Sequence, residues 1–139
     1  YTGRSHDSAG IIERKIALIN DRSPDVDYIH QMKALAFEAK RFLLQGRLDD
    51  LGRLLDDAWQ AKKNSVPGIS NAHIDALYEA ARKAGAFGGK LTGAGGGGFM
   101  FFYCPSGIKY HVVEALKPFG GEVRRFEFTS EGLRTWQGC

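Results

Sequence analysis

Eight of the chain's 18 glycines fall within fourteen residues, in the string GAFGGKLTGAGGGG from Gly85 to Gly98. No other feature limits the fold so strongly. A flexible linker would be rich in Gly and Ser and would separate two folded halves. This string instead contains Phe87, Leu91 and Thr92 and runs directly into the apolar stretch Phe99 to Cys104. It reads as a loop clamped between two short strands, Phe87 to Leu91 and Phe99 to Cys104. A tight hairpin needs only one or two glycines for its positive φ angles. Four in a row, preceded by Gly93-Ala94, exceed that need. They suit either close backbone packing or a nest of exposed N–H groups facing an anionic oxygen.

Three phosphate-binding patterns fail on this string. Gly93 to Gly98 formally spells G-x-G-x-x-G, but the dinucleotide fingerprint opens a helix, and here a strand is expected to follow. Gly85 to Lys90 is one residue short of a Walker A loop, and Leu91 stands where the hydroxyl belongs. A protein-kinase glycine loop lies between strands, but no V-A-I-K, H-R-D or D-F-G follows.

The rest of the chain is mostly helical in pattern. Ala9, Ile12, Ile16 and Ile19 recur at helical spacing over residues 5–20. Ser23-Pro24-Asp25 is a strong helix start, and Met32, Leu35, Ala36, Ala39, Phe42 and Leu43 give the next helix its stripe until Gly46. A third helix is expected from Leu48 to Lys63, acidic at Asp49 and Asp50 and basic at Lys62 and Lys63, which complements the helix dipole. Trp59 continues its apolar stripe and reads as core. After Pro67-Gly68, Ser70 or Asn71 caps a fourth helix bearing Ile74, Leu77, Tyr78 and Ala81. Beyond the glycine loop, Ser106-Gly107 opens a helix to about Pro118, and Gly120-Gly121 leads into a last strand, Glu122 to Phe128. Helices segregated from an antiparallel sheet make an α+β fold with a ferredoxin-like sheet and a helical layer.

Composition excludes several roles. A net charge of +3 from 19 basic and 16 acidic residues is too mild for a nucleic-acid or anionic-membrane binder. The longest apolar run is far too short to span a membrane. Cys104, read as a buried thiol, and Cys139 make neither a disulfide framework nor a thiolate metal site. His6, His30, His73 and His111 lack ligand spacing, so no metal site is expected. With no signal peptide or glycosylation sequon, the default compartment is the cytoplasm. Tyr1-Thr2-Gly3, with no initiator methionine, reads like the end of a strand cut from something longer.

The decapeptide Lys90-Leu91-Thr92-Gly93-Ala94-Gly95-Gly96-Gly97-Gly98-Phe99 resembles the third conserved motif of the GHMP kinases, which include galactokinases, homoserine kinases and mevalonate kinases. That motif lies in their C-terminal domain, and Tyr1 to Ser5 with Ser8-Ala9 resembles the start of that domain. Gly88 to Leu91, Trp59 and Lys62-Lys63 look most like the members acting on a heptose 7-phosphate. The resemblance implies an ATP- and Mg²⁺-dependent kinase for a sugar or sugar phosphate. The family's P-x-x-x-G-L-G-S-S phosphate loop, catalytic acid and lysine belong to an N-terminal domain, and no such loop occurs here. The chain is therefore expected to be one half of an enzyme, inactive alone, with no catalytic residue of its own. Its natural partner is its own N-terminal domain, and an exposed inter-domain face would favour self-association.

By the same resemblance, Gly93, Ala94, Gly95, Gly96, Gly97 and Gly98 border the phosphate and substrate cleft. Secondary candidates are Arg4, Ser5 and Ser8 at a helix start, and Lys90 and Thr92 beside the glycines. Each has a plainer reading: Ser5 as a cap, Arg4 solvated, Lys90 a strand-edge lysine in water. Other readings remain open: a fucokinase- or galactokinase-like enzyme, or a stand-alone module that binds a small anion.

Overall fold

The computed structural model describes residues 1–3, 9–20 and 27–136. In chain order these form α1 (Ala9–Asn20), α2 (Asp27–Leu44), α3 (Leu48–Ser65), α4 (Ala72–Lys83), β1 (Gly88–Leu91), β2 (Met100–Tyr103) and α5 (Lys109–Leu116), with a 3₁₀ turn at Lys117–Phe119. The expected starts at residue 5 and at Ser23-Pro24-Asp25 lie outside the described residues. The arrangement is α+β, with β1 and β2 antiparallel in the register Gly88↔Tyr103 to Leu91↔Met100.

Local chemistry accounts for the helix ends. Asp49 and Asp50 occupy the first turn of α3 and Lys62 and Lys63 its last. Asn71 caps α4, its side chain accepting from the Ile74 amide at 3.0 Å. The α5 helix starts at Lys109 rather than Ser106, because the Pro105 carbonyl first closes a turn with the Ile108 amide at 3.1 Å.

The main core joins Ile11, Trp59, Val66, Ile69, Ile74, Tyr78 and Leu91. A smaller cluster of Ala81, Ala86 and Val112 seats α5 against the end of α4. Apolar area removed from water at these positions supplies the main driving force for folding. The α2 helix stacks on α3 and has no fully buried residue. Met32, Leu35, Ala39 and Phe42 are half-buried there, whereas Ala36 and Leu43 of the expected stripe are exposed.

The α3–β1 contact is unusually close. A Cβ on Gly88 would strike the Gly52 carbonyl oxygen and come within 2.6 Å of the Asp56 amide nitrogen, so helix and strand backbones touch directly.

Two sequence expectations need correction. Residues 122–128 form no strand in the structure: among the described residues Glu122 alone of this segment has backbone partners, its amide donating to the Tyr1 carbonyl at 3.0 Å and its carbonyl accepting from the Tyr1 nitrogen at 2.7 Å. Cys104 is half-buried rather than buried, and that burial raises its thiol pKa. No helix among the described residues is long and apolar enough to cross a membrane.

Candidate functional site

Residues 92–99 connect β1 to β2 and carry the whole glycine run. Thr92 closes the base, its amide and Oγ1 both donating to the Phe99 carbonyl at 2.8 and 2.9 Å. Ala94 packs against the main core from above. The middle of the loop lies on the α3–α4 connection, where the Gly96 amide donates to the Ile69 carbonyl at 2.9 Å and Asn71 Nδ2 donates to the Gly96 carbonyl at 3.3 Å. At the far end the Thr2 amide donates to the Gly98 carbonyl at 2.8 Å.

The glycines serve different needs. Gly95 has φ +137°, and a Cβ there would sit 2.8 Å from Ile69 Cα, so close packing and conformation both demand glycine. Gly93 has φ +71° with open space around it, so only its conformation does. Among the loop's amides, those of Gly93, Ala94, Gly95, Gly97 and Gly98 donate to no described residue. A folded loop whose backbone donors meet no acceptor among the described residues has the geometry that receives anionic oxygens.

The sequence reading missed the residue that holds this loop. Lys62 was expected to lie at the helix end complementing the dipole. Its side chain instead turns inward, and the residue is 7% exposed. Its Nζ donates to the Leu91 carbonyl at 2.9 Å and the Gly93 carbonyl at 2.7 Å, bridging the end of β1 to the first glycine. Burial, reinforced by the charges of Lys90 and Lys15, pushes its pKa down to about 8. The available signal was its spacing: Ala58, Trp59, Lys62 and Ser65 lie on one helix face, and all are buried. Lys63 does behave as a surface cation, pairing with Asp75 at 3.4 Å and lying 5.8 Å from the Trp59 ring centre.

Of the secondary candidates, Thr92 and Lys90 flank the loop. Lys90 is half-buried, and burial followed by the Lys15 charge lowers its pKa. It is therefore not the freely solvated edge lysine of the plainer reading. Arg4, Ser5 and Ser8 lie outside the described residues, as do His6 and Cys139. Trp59 is fully buried as expected, and its indole N–H meets no described acceptor.

A second polar cluster lies beside the α4–β1 connection. Asp56 accepts from Tyr78 Oη at 2.6 Å and Gln60 Nε2 at 3.1 Å, and pairs with Arg82 at 3.2 Å. Burial and this hydrogen bond raise the Tyr78 pKa. Each member satisfies another, so the cluster serves to tie α3 to α4. Among the described residues no three His, Cys, Asp or Glu side chains gather as metal ligands.

This combination of elements matches a known family. The model for the C-terminal region of GHMP kinases aligns with residues 39–120, which include the whole glycine loop. The chain belongs to the GHMP kinases. Among curated relatives, D-glycero-alpha-D-manno-heptose 7-phosphate kinase of Campylobacter jejuni is 32% identical over 99% of this chain and 40% of its own length. Mevalonate kinase of Pyrococcus horikoshii is 33% identical over 96% of this chain and 41% of its own length. The chain thus spans about two fifths of the length of these family members. Among solved structures, L. major mevalonate kinase in complex with R-mevalonate superposes with a TM-score of 0.69 at 22% identity, covering 84% of this chain and 36% of that one. That superposition supports the fold.

Proposed function

We propose that this chain is the C-terminal domain of an ATP-dependent sugar kinase whose acceptor is a heptose phosphate, with residues 93–98 bordering the phosphate and substrate cleft. One observation carries the reading of the site: five consecutive-region amides of a rigidly anchored loop, Gly93, Ala94, Gly95, Gly97 and Gly98, have no described acceptor. The heptose preference rests on likeness to the Campylobacter jejuni enzyme across nearly the whole chain.

Phosphoryl transfer depends on positioning and on stabilising charge at equatorial oxygens. A backbone cradle contributes to both without a reactive side chain. Lys62 fixes the loop's entry and Ile69 its middle, so the donors that meet no described acceptor are held in place before an oxyanion arrives. ATP supplies the transferred phosphoryl group when bound, and the amides of the loop fit its anionic oxygens. In this reading Mg²⁺, which prefers carboxylates and phosphate oxygens, and the catalytic acid belong to an N-terminal domain. In this reading that domain is the chain's direct partner, the complete enzyme is cytoplasmic, and this chain alone is inactive.

The mevalonate kinases, matching at comparable identity over comparable length, support a second reading in which the acceptor is mevalonate. Steady-state kinetics of the full-length protein with ATP and Mg²⁺ separate the two. A heptose 7-phosphate should give the highest kcat/KM against free heptose, galactose, fucose and mevalonate. Preference for mevalonate or an unphosphorylated sugar overturns the substrate assignment, and absence of ATP-dependent transfer to any of them overturns the kinase reading.

A further inference from the structure

We propose that Lys62 and Asn71 are positioning residues that fix two peptide planes of the glycine loop, Gly93–Ala94 and Gly96–Gly97, and so make the Ala94 and Gly97 N–H groups its prealigned anion donors. What those donors receive rests on the kinase reading, whereas their orientation does not.

In a trans peptide the carbonyl of one residue and the N–H of the next point in opposite directions from one rigid plane. No peptide among the described residues is cis. Holding a carbonyl therefore aims the N–H that follows it. Lys62 Nζ donates to the Gly93 carbonyl at 2.7 Å, which turns the Ala94 N–H away from α3. Asn71 Nδ2 donates to the Gly96 carbonyl at 3.3 Å, which turns the Gly97 N–H away from the start of α4. Both side chains flank the α3–α4 connection, on which the loop rests through the Gly96 amide and the Ile69 carbonyl. The two N–H groups thus leave the loop on the side away from that support.

The anchoring is selective. Of the five loop amides without a described acceptor, those of Gly93, Gly95 and Gly98 follow the Thr92, Ala94 and Gly97 carbonyls, which accept from no described donor. The amides of Ala94 and Gly97 each follow a carbonyl that a side chain holds.

Glycine makes such anchoring necessary. Gly93 and Gly96 both take left-handed φ angles, +71° and +78°. Two glycines border the Gly96–Gly97 plane and one borders the Gly93–Ala94 plane, so a half-turn of either peptide meets little steric resistance. That half-turn would put a carbonyl oxygen where an N–H stood and repel an anion. Lys62 adds charge to geometry: an ammonium on a carbonyl polarises the whole amide and strengthens its N–H as a donor. With Lys62 only 7% exposed, water competes little for this bond. Asn71 has two separable duties, since its Oδ1 accepts from the Ile74 amide at 3.0 Å and caps α4 while its Nδ2 faces the loop. Serine keeps the cap and lacks the reach to Gly96.

Full-length protein labelled with ¹⁵N at glycine and alanine provides the test. Residual dipolar couplings, measured without ligand, report the direction of each loop N–H. Lys62→Met should change the Ala94 coupling and leave that of Gly97, and Asn71→Ser should do the reverse. ADP with Mg²⁺ and a heptose 7-phosphate are then added separately. Whichever shifts the Ala94 and Gly97 amide signals of the wild type is the source of the bound oxyanion, and each substitution should weaken its binding about tenfold or more. If Lys62→Met does not fold, Asn71→Ser decides alone. Couplings unchanged in the variants, couplings altered alike at every loop amide, or probe affinity unchanged despite altered couplings overturns the positioning role. Couplings altered as expected, with neither probe moving either amide in the wild type, overturn the anion reading of the loop and leave the positioning of the two peptides standing, so the two fail separately.

Discussion

Raising the pH through 8 should stabilise this fold, and the gain should disappear in Lys62→Met. Lys62 has its pKa lowered to about 8 in the folded chain, against 10.5 for a solvated lysine. Between those values the unfolded chain binds more protons than the folded one, so stability rises with pH. Each unit is worth about 1.4 kcal/mol, which gives a gain of about 2 kcal/mol between about pH 7.5 and about pH 9.5. Lys90, lowered for the same reason, adds in the same direction. The Cys104 thiol, raised by burial, acts in the opposite sense, and Tyr78 does so only near and above its ordinary value. The difference between wild type and Lys62→Met cancels these shared contributions. The variant also loses donors to the Leu91 and Gly93 carbonyls, at about 1–3 kcal/mol for a buried acceptor left unpaired. That offset is constant with pH, so the slope carries the test. Urea unfolding followed by circular dichroism, at both pH values and for both chains, measures it. A wild-type-minus-variant difference that stays the same at both pH values refutes the reasoning. So does a Lys62 side-chain NMR titration with its midpoint at the solvated value.

The remaining predictions concern the loop and its supports. Gly95→Ala should destabilise by roughly 2–4 kcal/mol because its Cβ meets the Ile69 backbone, whereas Gly93→Ala, in open space, should cost only about 1 kcal/mol for its positive φ. Equal losses in denaturant unfolding would contradict the two separate reasons given for these glycines. Asn71→Ala should cost about 1 kcal/mol through loss of the α4 cap, with early amide exchange at Ile74 as the local readout. Tyr78→Phe removes a 2.6 Å hydrogen bond to the Asp56 carboxylate and should cost about 1.5–3 kcal/mol in thermal or urea unfolding. A smaller loss would mean that Gln60 and Arg82 alone satisfy Asp56.

Much of the fold was readable because it depends on local chemistry. The Asn71 cap, the dipole-ordered charges of α3 and the strand–loop–strand around the glycines each follow from residues adjacent in the chain. Residues 122–128 were expected as a strand after Gly120-Gly121, but local sequence does not record whether a partner runs beside a segment. Within the candidate site, the glycine loop was visible as composition. Its support was not: Ile69 meets Gly95 and Gly96 from 26 and 27 residues earlier, and Lys62 meets Gly93 across 31. Lys62 was also disguised by a sound rule, since a lysine in a helix's last turn ordinarily serves the dipole. The apolar face it shares with Trp59 outweighed that rule, and only the tertiary contact decides between them.

The touching backbones of α3 and β1 have a mechanical consequence. Side chains between two elements act as a compliant layer that changes rotamer when one element shifts. Between Gly52 and Gly88 that layer is missing, and the Tyr103 ring takes the space a Gly52 side chain would need. Movement at the base of the loop is therefore not absorbed at this seam. It is passed to α3, against which the α2 helix also packs.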